Sequence, residues 1–128
     1  MIVVEQPLDR HGGARLRVVA QPLDAQTLSA PADWPALTWE GIASIDTGSA
    51  ANQPSQQIIS RLELQPRADG AYLVNLIMPN GDPGKVRWSR AIAVRRGDVD
   101  GCVLGRDFLQ YAIFVYSGRA GSFRLELD

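Results

Sequence analysis

The stretch IASIDTGSA, residues 42–50, decides how this chain is read. A short apolar strand, ending at Ile45, delivers a carboxylate, Asp46, to a small turn of Thr47, Gly48 and Ser49. Taken alone, this is a strand that stops at a turn, because Asp, Gly and Ser are all common turn residues. A four-residue match of this kind is weak, so its meaning rests on the rest of the chain.

The chain has 128 residues, with 12 Gly and 8 Pro punctuating short apolar runs. That pattern implies an all-β fold, organised as one domain over residues 1–128 around a single core. A composition 45% hydrophobic and 21% charged argues against disorder. A formal net charge of -1 with no basic stripe argues against a nucleic-acid partner. No apolar run approaches the roughly 18 residues that span a bilayer, so no membrane partner is expected. The opening MIVVEQPLDRHGG lacks the basic n-region of a signal peptide. The lone cysteine, Cys102, rules out an internal disulfide and fits a reducing, cytoplasmic compartment. Cys102 lies in the apolar run CVL, and the lone His11 lies in a Gly-rich turn. Neither a Cys-His nucleophile pair nor a His/Cys metal site is available, so no metal and no cofactor is expected.

Ala14 to Ala20 reads as a strand, and the proline-rich Gln21 to Pro35 as a loop. Leu37 to Asp46 reads as one or two strands, with Glu40-Gly41 as a bulge or tight turn. Asn52 is read as an N-cap and Pro54 to Leu62 as a short helix, burying Ile58, Ile59 and Leu62. Ala71 to Met78 and Lys85 to Val94 form a hairpin about the Asn-Gly of PNGDPG, residues 79–84. CVLG is a short strand and RDFLQ a helical turn. AIFVY and SFRLEL close the chain as a hairpin, with Phe123, Leu125 and Leu127 on its buried face.

Gly105, which opens the Gly-Arg-Asp of CVLGRDFL, follows Asp46 by 59 positions. Together IDTGS, the VNLIMPNG hairpin, VLGRDFL and the closing YSGRAGSFRLEL resemble the retropepsin-like aspartic proteases. The likeness is closest to their cellular and bacterial single-domain branch, and covers roughly Ala14 to the C-terminus. It implies a closed, mostly antiparallel β-barrel with one or two short helices, acting as a homodimer on a peptide or protein substrate. It implies that Asp46 is catalytic and meets its copy across a two-fold axis. Thr47 would join the two loops, and Gly48 would admit the substrate backbone. Gly105, Arg106 and Asp107 would brace the active-site loop and the dimer.

The chemistry fits that assignment. Without a metal or a nucleophilic side chain, peptide hydrolysis needs a base to activate water and an acid to protonate the carbonyl. Two carboxylates held close share one proton and divide these roles. A chain with one such Asp must dimerise to have the pair. Ser49 is expected to donate to the outer carboxylate oxygen and favour its charged form.

Two features depart from the pattern. Only Gln65 to Ala71 is available for the flap that covers the cleft in this family, and that is short. The segment after Ser49 also lacks the hydroxyl residue the family often places there. The alternative is a barrel that dimerises or binds peptides with little or no proteolysis. Trp34, Trp39 and Trp88 are read as core or dimer-contact aromatics. Arg95-Arg96 and Asp69, Asp82, Asp98 and Asp100 are read as solvated turn charges.

Overall fold

The structure, a computed structural model, describes residues 2–22, 38–79 and 86–128. Strands make up 51% of it, so the all-β expectation holds. In chain order the elements are β1 (Ile2–Pro7), β2 (Arg15–Pro22), β3 (Trp39–Ile45), β4 (Gln53–Pro54), α1 (Gln56–Arg61), β5 (Tyr72–Pro79), β6 (Val86–Val94), β7 (Cys102–Leu104), α2 (Arg106–Leu109), β8 (Ala112–Ser117) and β9 (Ser122–Leu127). They form a six-stranded sheet, β4-β7-β3-β2-β5-β6, and a three-stranded sheet, β1-β9-β8.

Alternating side chains explain how the sheets face each other. In β9, Phe123, Leu125 and Leu127 are buried, while Arg124 and Glu126 form an ion pair on the other face. These apolar residues join Leu16, Val18, Val74, Leu76, Ile92 and Leu104 of the large sheet in one continuous core. Ile58 and Leu62 of α1 and Phe108 of α2 complete it. Trp88 packs edge-on against Phe108 at 5.9 Å and donates its indole N–H to the Asp128 carbonyl, so it is a core residue. Trp39 packs half-buried on the same core.

A closed barrel is not what the described residues form. The large sheet is curled, and its edge strands β4 and β6 are not paired with each other. They converge at one corner only. There Arg95 and Gly97, just beyond β6, donate backbone N–H groups to the carbonyls of Asn52 and Pro54.

Several local expectations change. Ile2–Pro7 is a strand that sequence patterning does not mark. It pairs antiparallel with β9, Val4 opposite Leu125. Glu40-Gly41 is not a bulge: β2 and β3 pair in unbroken register, Val18 opposite Gly41. Gly41 instead makes room for an indole, since a Cβ there would lie 2.5 Å from the Trp39 ring. The α1 N-cap is Ser55, not Asn52. The Ser55 hydroxyl accepts the Ile58 N–H at 3.4 Å, and Pro54 belongs to β4. Trp34, the loop through Pro35 except Gln21 and Pro22, and the turn after Pro79 with Asp82 lie outside the described residues.

Candidate active site

Asp46 stands where β3 ends, and three directions of pairing fix it. β3 lies between β2, antiparallel, and β7, parallel, with Ile45 opposite Leu104. The ladder continues one step further, the Asp46 N–H donating to the Leu104 carbonyl at 2.9 Å. The chain then turns: Gly48 donates its N–H to Asp46 Oδ1 at 2.9 Å, and Ser49 donates its N–H to the Asp46 carbonyl. The carboxylate is thereby oriented yet remains exposed, as are Thr47 and Gly48. A Cβ on Gly48 would approach Asp46 Oδ1 to 3.2 Å, a tight contact.

The loop is held from behind by the start of α2. The first N–H groups of any helix lack intrahelical acceptors. In α2 the segment 49–52 supplies acceptors for them. Arg106 donates its N–H to the Ser49 carbonyl at 2.8 Å and Asp107 to that of Ala50 at 3.0 Å. Gly105 and Phe108 donate theirs to Asn52 Oδ1 at 3.0 and 3.1 Å. The Arg106 guanidinium also donates to the Thr47 carbonyl at 2.9 Å. Gly105 is required by space, because a Cβ would collide with the carbonyl oxygens of Ser49 and Ala51. A four-residue helix is far below the length that holds itself together, so α2 and the Asp46 loop form as one unit.

Asn52 is the residue that sequence reasoning assigned to the wrong partner. It is fully buried, and its Nδ2 donates to the Ala93 carbonyl at 3.1 Å. It thus ties β6 to both the loop and α2. A buried Asn needs several partners, but its partners lie 41 to 56 positions away and leave no local trace.

Ser49 behaves differently from expectation. Its hydroxyl has one proton, and that proton goes to the Ala51 carbonyl at 2.9 Å, not to Asp46. Cys102, in β7, has its thiol pushed up to about 12 by burial, consistent with an inert group. Among the described residues no group of three or more His, Cys, Asp and Glu side chains could hold a metal.

An open cleft of about 380 Å³ lies beside Asp46, lined also by Thr47, Gly13, Ile45, Phe114 and Tyr116. Among the described residues Asp46 is its one acidic side chain. A larger cleft, about 740 Å³, is lined by Trp39, Glu40, Ile58 and Arg61, at the far end of β3 from Asp46. Among the described residues its one carboxylate is Glu40, whose partner is Arg17, so Asp46 does not lie in this larger space.

The short segment expected to serve as flap is a tight turn closed on itself. Arg67 donates its N–H to the Ala71 carbonyl at 2.7 Å, and Gly70, at φ +82°, donates to the Arg67 carbonyl. Asp69 accepts from the Ala71 N–H and from the Arg67 guanidinium, and these bonds hold its carboxyl below the usual range. Arg95 donates to the Asp69 carbonyl.

No family model and no curated protein matches this sequence. Among solved structures the chain is similar to a retropepsin-like aspartic protease from Rickettsia conorii, with 16% identity and a TM-score of 0.54. The alignment covers 97% of this chain and 89% of that one. At this identity the likeness is one of fold. No helix among the described residues is long and apolar enough to cross a membrane.

Proposed function

We propose that this chain is a retropepsin-like aspartic endopeptidase, a single domain that works as a homodimer with Asp46 of each copy forming the catalytic pair. The observation that carries this reading is an exposed carboxylate at the end of a paired β-strand, on a loop whose carbonyls saturate the start of α2. The fold likeness to a retropepsin-like protease supports it.

In this reading one Asp46 is ionised and its copy protonated, because two close carboxylates share a proton. The ionised Asp46 takes a proton from a water, whose oxygen attacks the peptide carbonyl carbon. The protonated copy gives its proton to the carbonyl oxygen. The tetrahedral diol then collapses. The C–N bond breaks as the nitrogen receives a proton from the carboxyl now holding one and a diol hydroxyl gives its proton to the other Asp46, and an acid and an amine leave. Thr47 joins the two loops across the axis, and Gly48 admits the substrate backbone. Gly105, Arg106 and Asp107 hold the loop from behind. No cofactor enters any step.

The closed turn at Arg67–Ala71 favours a second reading, in which the same fold dimerises or binds extended peptides with little hydrolysis. Cleavage of an unbiased peptide library between about pH 4 and 7, wild type beside Asp46→Asn, separates them. Cleavage by wild type alone supports the endopeptidase. Equal silence of both proteins supports the binding module.

A further inference from the structure

The cleft beside Asp46 is walled by three parts of the chain. Ile45, Asp46 and Thr47 carry the carboxylate, and Phe114 and Tyr116 come from β8. Gly12, Gly13 and Ala14 come from the turn between β1 and β2. Two of these last three have no side chain to anchor them. Glycine reaches wide regions of φ and ψ, so a Gly-Gly wall does not hold its own shape. Gly12 indeed sits at φ +80°. The wall must be fixed by residues outside the pair.

Asp9 does this from one side. Its Oδ1 accepts the Gly13 N–H at 2.7 Å and the His11 N–H at 2.9 Å. These bonds, the Gly13 one foremost, hold the Asp9 carboxyl below its ordinary value, so it is an acceptor throughout the range of the cleavage assay. Its backbone closes the same turn. The Asp9 N–H donates to the Gly13 carbonyl at 2.9 Å, and the Gly12 N–H donates to the Asp9 carbonyl at 3.0 Å. The carboxylate lies so close to Gly13 that a Cβ there would come within 2.8 Å of Asp9 Oδ2. Tyr116 holds the pair from β8, its hydroxyl donating to the Gly12 carbonyl at 2.7 Å. One residue on, the Ala14 carbonyl accepts the Ile45 N–H at 2.9 Å, next to Asp46. Both N–H groups of the glycine pair are thus engaged within the protein, so this wall does not pair with a substrate as a strand edge does. It meets a substrate by shape.

We infer that Asp9 is a positioning residue for the Asp46 cleft: by holding Gly12 and Gly13 it sets the wall against which a peptide lies. It touches no reacting atom. Asp46 is oriented separately, its Oδ1 accepting the Gly48 N–H and its own N–H donating to the Leu104 carbonyl. Loss of Asp9 therefore loosens the cleft without turning the carboxylate. Such a loss weakens substrate and transition-state binding alike, which raises KM and spares kcat. The inference takes its substrate from the proposed role of Asp46 and extends that site to a turn more than thirty positions earlier in the chain.

Asp9→Ala and Asp9→Asn test it, and Tyr116→Phe probes the same wall from its other anchor. Far-UV circular dichroism checks folding, and Tyr116→Phe carries the test if Asp9→Ala does not fold. Steady-state cleavage of the best library peptide gives KM and kcat. Fluorescence anisotropy gives Kd for the labelled library peptide that Asp46→Asn binds most tightly, with each substitution placed on that background. Asp9→Ala is expected to raise KM and Kd roughly tenfold, the worth of a hydrogen bond to a charged group, and to leave kcat within about twofold. Asp9→Asn is expected to recover most of that loss, because its amide oxygen accepts the same two bonds. Tyr116→Phe is expected to raise KM about threefold, the worth of a neutral hydrogen bond. An unmoved KM and Kd in Asp9→Ala, a fall in kcat alone, or an Asn variant as impaired as the Ala variant overturns the inference. The protease reading is scored separately. Asp46-dependent cleavage with an unmoved KM refutes only the role of Asp9. Peptide binding weakened by Asp9→Ala in a protein that never cleaves refutes only the protease reading. A protein that neither cleaves nor binds any library peptide overturns both.

Discussion

The Asp46 loop, the floor of the candidate site, and the turn expected to be its roof are built to opposite standards. Residues 46–52 engage β7, α2 and β6 through bonds that reach up to 59 positions along the chain. Residues 65–71 bond mainly to themselves, and among the described residues Arg95 reaches them from elsewhere. Catalysis by a carboxylate pair draws on both parts. Fixed orientation lowers the barrier, and exclusion of water strengthens the electrostatics around the reacting atoms. The loop of Asp46 is fixed in orientation, while the segment expected to enclose it is a seven-residue turn.

The largest expected effect is at the floor. Asp46→Asn keeps the shape and removes the proton chemistry, and is expected to lower any peptide cleavage by on the order of 10²–10⁴-fold. Steady-state cleavage of the best library peptide measures it, and unchanged activity would remove Asp46 from the mechanism. Asn52→Ala comes next. It leaves the buried N–H groups of Gly105 and Phe108 and the Ala93 carbonyl without their partner. The expected loss is about 3 kcal/mol, since each unsatisfied buried group costs roughly 1–3 kcal/mol. Urea unfolding checks it, and a loss below 1 kcal/mol would mean the loop and α2 hold each other without Asn52.

The roof makes the complementary prediction. Inserting a Gly-rich hairpin between Asp69 and Gly70 is expected to raise kcat/KM while Asp46 dependence is kept. If the insertion leaves kcat/KM unchanged, enclosure does not limit this site. Acid acts on this turn through Asp69. The Ala71 N–H, then Arg67, lower the Asp69 carboxyl. Its contribution is therefore complete above the ordinary value near 3.8 and is lost as pH falls below it. The protection factor of the Ala71 amide, which removes the intrinsic pH dependence of exchange, is expected to fall below that pH and to stay flat from pH 5 to 7.

Two smaller effects sharpen the contrast. Ser49→Ala is expected to leave the pH profile of cleavage unmoved and to cost about 1 kcal/mol, the worth of one ordinary hydrogen bond. A displaced profile would mean that the hydroxyl leaves Ala51 for Asp46 in the working enzyme. Glu63 ends α1 at φ 52°, with Leu64 and Glu63 donating to the Ile59 and Ser60 carbonyls. This is a left-handed helix stop made without glycine. Glu63→Gly is expected to stabilise by about 1 kcal/mol in thermal unfolding.

The sequence marks what is local and misses what is assembled across it. The strand that ends before Asp46 and the helical turn after Gly105 were legible because each is a contiguous run, and the hairpin of β8 and β9 because its alternation is plain. β1 was not, since Ile2–Pro7 has three apolar residues in a row and a partner near the other end of the chain. Asn52 was assigned to the nearest helix because Asn before Pro suggests a local cap, while its acceptor serves a helix more than fifty residues later. The closed barrel was what the family resemblance implied, since single-strand patterning does not encode whether β4 and β6 meet along their length or at one corner.

The Asn52 clamp also orders events in time. It cannot close until chain segments around residues 52, 93 and 105 have already been brought together by the growth of β6 and β7. Contacts of such sequence separation are entropically late. We therefore expect the candidate catalytic loop to be among the last parts of the molecule to become native, so that Asn52→Ala speeds unfolding and leaves the folding rate nearly unchanged. A folding limb that slows in proportion to the lost stability would instead place the clamp in the nucleus. With a late clamp, a half-folded chain carries Asp46 but cannot aim it.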